Sequence, residues 1–175
     1  VIAATGLFTP EGETVSIGIG LPTFIRGMAE TVKAKIRHFG IANMKPGDIY
    51  VTNDSYTTGS PLNHFTFTLP IFHKRKLVGF SCCMAHWLNI GGVLHGMTTD
   101  IYSEGLQIPI LKLQRAGAMN DDLIDVIMMN VRDPARAKGD LRAQHHFADR
   151  GTYVITVTLT DDDAARHRET ADRLQ

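Results

Sequence analysis

Phe65-Thr66-Phe67-Thr68-Leu69-Pro70-Ile71-Phe72, then His73-Lys74-Arg75-Lys76, then Leu77-Val78-Gly79-Phe80-Ser81-Cys82-Cys83-Met84-Ala85: two apolar runs about a basic tetrapeptide decide the fold. In the first run Phe65, Phe67 and Leu69 alternate with threonines, the period of two expected of a strand with one buried face. The second run is more uniformly apolar, as a strand covered on both sides would be. The tetrapeptide between them reads as a solvated hairpin turn, and Pro70, lacking an N–H, restricts the first strand's neighbours. Cys82 and Cys83 are the only cysteines. As neighbours in a strand they point to opposite faces, so no disulfide joins them and a reducing compartment is expected.

Working outward, residues 1 to 20 read as a β-hairpin broken at Thr9-Pro10-Glu11-Gly12. Phe24, Ile25, Met28, Val32 and Ile36 then recur at helical spacing, with Glu30, Lys33, Lys35 and Arg37 assigned to the outer surface. Gly40 and Pro46-Gly47 end that helix, and Asp48 to Thr52 begins a strand. Leu106 to Leu113 is expected as another strand, with Pro109 marking an edge or bulge. Asn120 offers an N-cap to a helix with the stripe Leu123, Ile124, Ile127, Met128 and Val131, whose first-turn Asp121 and Asp122 complement the helix dipole. A further helix runs from Pro134 to about Phe147. Tyr153 to Thr160 is a strong β pattern, and Asp161 to Asp163 caps a last helix rather than binding a metal. Strands and helices mix without regular βαβ alternation. The expected fold is α+β: a mixed, mainly antiparallel sheet packed with amphipathic helices, residues 1–150 forming one domain and 151–175 a strand plus helix.

Several function classes drop out. Of 175 residues, 43% are apolar, and Lys+Arg and Asp+Glu number 18 each. No cationic stripe exists to displace counterions, so nucleic acid is not an expected partner. No apolar run is long enough to span a membrane and no leader precedes residue 20, so a cytoplasmic protein is expected. The chain begins Val1-Ile2 rather than with Met, as a processed or truncated one would. Gly18-Ile19-Gly20 lacks the third glycine of a dinucleotide turn, and there is no Gly-rich Lys-Ser/Thr phosphate loop.

Polar groups concentrate in Asn53 to His64 and Ala85 to Gly92. Imidazole, carboxylate and amide groups are costly to bury without partners, so two such clusters point to one shared site. A catalytic zinc or manganese takes about three protein ligands and an open position. His64 and His86 would supply two, and Asp54 or His95, both in turn-like sequence, a third. Amide and carboxylate groups at Asn53, Asp54, Tyr56 and Asn63 suit a cyclic ureide or lactam, whose ring offers adjacent C=O and N–H. Tyr56 and Trp87 would wall the pocket, Trp87 having core or interface as its plainer role. Gly91, Gly92 and Gly96 allow positive φ or a close backbone approach.

Four ordered blocks carry a family resemblance: G-D-x-Y-x-x-N-D-x-Y from Gly47, G-S-x-L-N-H from Gly59, A-H-W-x-x-x-G-G from Ala85 and E-G-L-Q-I-P from Glu104. With Asn130-Val131-Arg132-x-Pro134 and Gly139-Asp140-Leu141-Arg142-Ala143-Gln144, the chain resembles the hydantoinase B / 5-oxoprolinase family, B-type subunits of ATP-dependent cyclic-amide hydrolases, related to subunits of ketone carboxylases. The family is longer, so the resemblance implies a fragment, with 151–175 from a later part of the fold and sequence missing near His145 to Arg150. It further implies hydrolytic ring opening of a hydantoin, 5-oxoproline or lactam. A hydantoinase A-type partner would bind ATP in a hetero-oligomer. The alternatives it leaves are a subunit of an acetone or acetophenone carboxylase, and a non-catalytic assembly subunit.

In the family, a divalent metal is held by side chains matching positions 61, 64 and 86, or by an N-terminal aspartate with the histidines at 61 and 86. This chain has His64 and His86, but Pro61 and Ile2 occupy the other positions, and Asn89 stands where relatives often carry aspartate. On the enzymatic assignment His64 and His86 hold the metal, Asp54 orients them or acts as base, and Asn53, Asn63 and Asn89 hold the ring. Glu104 matches a family acid, either a proton acceptor or a solvated turn residue.

Overall fold

The computed structural model describes residues 3–18, 22–94 and 97–149; the expected strand and helix of 151–175 lie outside them. Its centre is the long hairpin of β4 (His64–His73) and β5 (Lys76–His86), paired from His64↔His86 to His73↔Lys76 with an irregularity between Ile71 and Phe72. The turn lies at Lys74 and Arg75, both with positive φ, as a two-residue hairpin loop following the strand twist requires. Outside β5 lie β1 (Ala3–Phe8) and β2 (Thr14–Ile17). Outside β4 lie β3 (Ile49–Thr52), β6 (Leu111–Arg115) and β7 (Ala118–Met119). Among the described residues the seven strands run in the order β2-β1-β5-β4-β3-β6-β7 with every pairing antiparallel, so the fold is the expected α+β one on an antiparallel sheet.

Side-chain alternation divides the hairpin between two cores. On one face Phe80, Cys82 and Met84 meet Phe24, Met28 and Val32 of α1 (Pro22–Phe39). On the other, Phe65, Phe67 and Trp87 meet Leu123, Ile127 and Met128 of α4 (Asp121–Met129) and Ala137 and Leu141 of α5 (Pro134–Asp149). The Asn120 side chain caps α4 by accepting from Leu123 N. Cys82 and Cys83 are free and buried, Cys82 in the α1-side core. Two one-turn helices, α2 (Ser55–Thr58) and α3 (Ile101–Glu104), sit in the loops that follow β3 and β5.

The structure corrects three expectations. Leu106 to Leu113 is not strand throughout, since β6 begins at Leu111. Upstream, Asn53 and Thr52 side chains bond the backbone of Leu106 and Ile108, taking groups a ladder would have used. Thr66 and Thr68 are not on an open face but fully buried. Lys35, assigned to the helix surface, is also 0% exposed. Its Nζ donates to Thr66 O at 3.0 Å, Thr66 Oγ1 at 3.2 Å and Thr68 Oγ1 at 2.8 Å. The two misreadings have one cause, because the threonines' hydroxyls supply the cation with its hydrogen bonds.

Burial lowers the Lys35 pKa to about 8, against a smaller opposing effect of Cys82. Between that value and the ordinary 10.5, the unfolded chain holds a proton that the folded one has lost, so this contribution to stability rises with pH. Below the window both forms are charged and burial is a full cost. In urea unfolding, the stability of the wild type relative to Lys35→Met should rise by on the order of 3 kcal/mol between about pH 8 and 10.5. A constant difference across that range would show that the amine does not titrate there.

Candidate functional site

The ladder that sets the fold also builds the site. His64 opens β4 and His86 closes β5, and they are Cα partners across the hairpin. Their rings lie 4.9 Å apart at 69°, with His86 Nδ1 3.3 Å from His64 Nε2. On the far side of His86, Nε2 lies 3.0 Å from Asn63 Nδ2. The Phe24 ring of α1 covers His64 at 4.8 Å, although its position in the apolar stripe marked it only as core. Asn63, His86 and His64 thus form one hydrogen-bonded row. If Asn63 donates to His86 Nε2, His86 carries its proton on Nδ1 and donates to His64 Nε2, leaving the His64 proton on Nδ1. Rotating the amide by half a turn reverses every donor in the row. Asn63 Oδ1 and His64 Nδ1 are both buried without a hydrogen-bond partner. In either direction of the row one of these ends is a donor and the other an acceptor, and a buried unpaired polar atom calls for a ligand or water.

Desolvation, then repulsion from His86, lowers the His64 pKa below its usual value, with the Pro61 carbonyl opposing in part. A neutral imidazole is therefore the resting form at neutral pH.

The other expected site residues have structural partners. Asn53 is fully buried, and its Nδ2 donates to Leu62 O at 2.7 Å and Leu106 O at 2.8 Å, while its Oδ1 accepts from Ile108 N at 2.6 Å. No donor remains for a ring. Trp87 is buried against Phe65, rings stacked at 4.2 Å, and its Nε1 donates to Gln144 Oε1. Gln144 in turn donates to Phe65 O and Cys83 O, so a residue read only as part of a motif ties α5 to the hairpin. Asn89 Oδ1 accepts from Gly91 N and Arg132 N, holding the turn in which Gly91 and Gly92 have positive φ. Asp54 caps α2, accepting from Tyr56 N and Thr57 Oγ1, and among the described residues neither imidazole bonds to it. Tyr56 is 87% exposed and lines a separate cleft. Glu104 is an exposed residue ending α3.

A three-ligand metal does not fit the described residues. No group of three His, Cys, Asp or Glu is close enough among them. Both nitrogens of His86 have partners, and Pro61 has no ligating atom in its side chain; Ile2 and His95 lie outside the described residues. The row is suited to moving a proton between two imidazoles steadied by an amide.

The family described as hydantoinase B/oxoprolinase matches residues 3–175. Caprolactamase subunit beta of Pseudomonas jessenii is 32% identical over 146 residues, covering 81% of this chain and 25% of the relative. 5-Oxoprolinase 1 of Arabidopsis thaliana is 29% identical over 82% of this chain and 12% of the relative. The crystal structure of ATP-dependent caprolactamase from Pseudomonas jessenii superposes with a TM-score of 0.77 and 29% identity, over 84% of this chain and 26% of the other. Acetone carboxylase, nucleotide-free, shares the fold with a TM-score of 0.75 at 20% identity, over 84% of this chain and 20% of the other. The chain spans about a quarter or less of the length of these proteins. No helix among the described residues is long and apolar enough to cross a membrane.

Two outcomes follow for the site. Asn53→Ala should destabilise the fold by about 3 kcal/mol, because Leu62 O, Leu106 O and Ile108 N lose their partners together; chemical denaturation checks this. His64 should titrate below its usual range in ring NMR, and His86→Ala should move its midpoint upward by removing the repulsion. An unchanged or lower midpoint would contradict that coupling.

Proposed function

This chain belongs to the hydantoinase B/oxoprolinase family, and from that premise we propose that it opens the ring of a cyclic amide as the B-type part of an ATP-dependent hydrolase. The observation that carries this is the Asn63–His86–His64 row, whose two buried ends lack partners. A hydantoin, 5-oxoproline or lactam offers the complement, a carbonyl acceptor beside an N–H donor. Amide resonance makes ring opening slow. A partner chain of the hydantoinase A type would bind ATP and phosphorylate the amide oxygen, making the ring carbon a better electrophile. Neutral His64 would then take the proton of the attacking water, while His86 receives or returns a proton along the row and Asn63 fixes its tautomer. The names of relatives as subunits support a hetero-oligomer, and the proposed location is the cytoplasm.

Pro61 favours a second reading, an assembly subunit without turnover, because it removes a ligating side chain the family uses. One experiment separates the two: co-purify the chain with an ATP-binding partner and measure ATP consumption and ring opening with hydantoin, 5-oxoproline and caprolactam. His86→Ala should cut turnover by about a hundredfold or more while the melting temperature holds, the scale of positioned acid–base catalysis. Activity within a few-fold of wild type would remove the row from the mechanism. A stable complex inactive with all three rings would favour the assembly role, and turnover only with acetone or acetophenone plus bicarbonate would favour a carboxylase.

A further inference from the structure

Between α1 and the α2 turn lies a cleft of about 600 Å³ lined by Arg26, Glu30, Ala34 and Arg37 on one side and residues 56–59 on the other. Gly27 closes it from below. A Cβ there would lie 2.5 Å from Thr58 O, so only glycine lets helix and turn meet. At 100° per residue, Glu30 stands about 40° and Arg37 about 20° around the helix from Arg26, so the three charges form one stripe. They rise along it in the order positive, negative, positive, Glu30 about 6 Å and Arg37 about 16 Å from Arg26. Arg26 and Glu30 have the spacing at which opposite charges pair on a helix. They make no salt bridge, and neither does Arg37; the salt bridges among the described residues are Lys33–Glu13 and Lys112–Asp48. The exposed Tyr56 lines the same cleft from the α2 turn.

We propose that this cleft binds an amino dicarboxylate, a small molecule whose charges run carboxylate, ammonium, carboxylate. Each arginine offers a planar fork of N–H donors to one carboxylate, and Glu30 accepts from the ammonium between them. A few C–C bonds of about 1.5 Å each with two extended arginine side chains cover the axial separation. Ala34 and the Tyr56 ring give the methylene groups an apolar wall. A lone anion such as phosphate would meet Glu30 with nothing to offset it, so the mixed stripe selects a zwitterion over a simple anion. The imidazole row is not part of the cleft's lining, and because ring opening of 5-oxoproline would itself release glutamate, the Arg26 and Arg37 variants are what assign the binding to the cleft.

Calorimetric titration of the chain at low ionic strength tests this with four probes: L-glutamate, glutarate lacking the ammonium, 4-aminobutyrate lacking one carboxylate, and inorganic phosphate. Glutamate should bind saturably and tighter than the other three. Arg26→Ala and Arg37→Ala should each weaken it about tenfold or more. Glu30→Gln should act in opposite directions, weakening glutamate and tightening glutarate by about threefold or more each, a signature that loss of structure cannot imitate. The proposal fails if glutamate does not saturate below about 20 mM, if phosphate or glutarate binds as tightly, if either arginine variant binds as the wild type does, or if Glu30→Gln shifts both ligands the same way.

Discussion

The phase of the β4–β5 ladder is the constraint on which the other elements depend. With His64 opposite His86 and Thr66 opposite Met84, alternation sends His64, Thr66, Thr68, Cys82, Met84 and His86 to the α1 face. Phe65, Phe67 and Cys83 go to the face of α4 and α5. A slip of one residue would drive the threonines into the aromatic core and leave Lys35 facing apolar rings. Register is pinned by more than apolar pattern. Lys35 from α1 bonds Thr66 and Thr68, and Gln144 from α5 bonds Phe65 O and Cys83 O, so each helix holds the hairpin by one buried polar side chain. Such groups contribute little net stability but penalise wrong pairings heavily, because each misregister strands a buried donor.

The dense polar motifs are then mostly architecture. Asn53 closes the loop at Leu106 and Ile108 onto the end of β3, Asn89 shapes the glycine turn after Trp87, and Asp54 starts α2. Each is a side chain satisfying backbone groups in a segment that has no ladder of its own, where loops must find partners. Among the described residues, Asn63, His64 and His86 are instead joined side chain to side chain in one row that leaves two buried polar atoms over. That difference separates scaffold from reactive site more sharply than the chemical character of the residues, which is the same in both groups.

How much was legible in the sequence follows from which forces act locally. Helices α1 and α4, the hairpins and the Asn120 cap rest on periodicity and short-range bonds, and those can be read directly. The convergence of His64 and His86 was also legible, since each adjoins an apolar strand run in the hairpin. What could not be read were pairings set by tertiary approach. Alternating threonines look the same whether they face water or a buried ammonium, and a lysine in a helical stripe looks exposed until a hydroxyl-lined face lies beneath it. An asparagine reads alike whether it faces a ligand or a carbonyl fifty residues away in the chain. The strand expected from Leu106 failed for that reason: the Thr52 and Asn53 side chains bond Leu106 O and both backbone groups of Ile108, while Leu106 N donates to Ile90 O.

At Pro61 the backbone alone sets the site's geometry. Its carbonyl accepts from His64 N at 3.0 Å, and Asn63 O accepts from Trp87 N at 2.7 Å. The turn into β4 is thus fixed by backbone bonds and by the restricted φ of proline, and no polar side chain at position 61 is needed to deliver Asn63 to His86. With an amide as the third partner of the two imidazoles, what the described residues control is where protons reside. The low basicity of His64 has the same origin as its placement: burial under Phe24 and a neighbouring ring that resists a second charge.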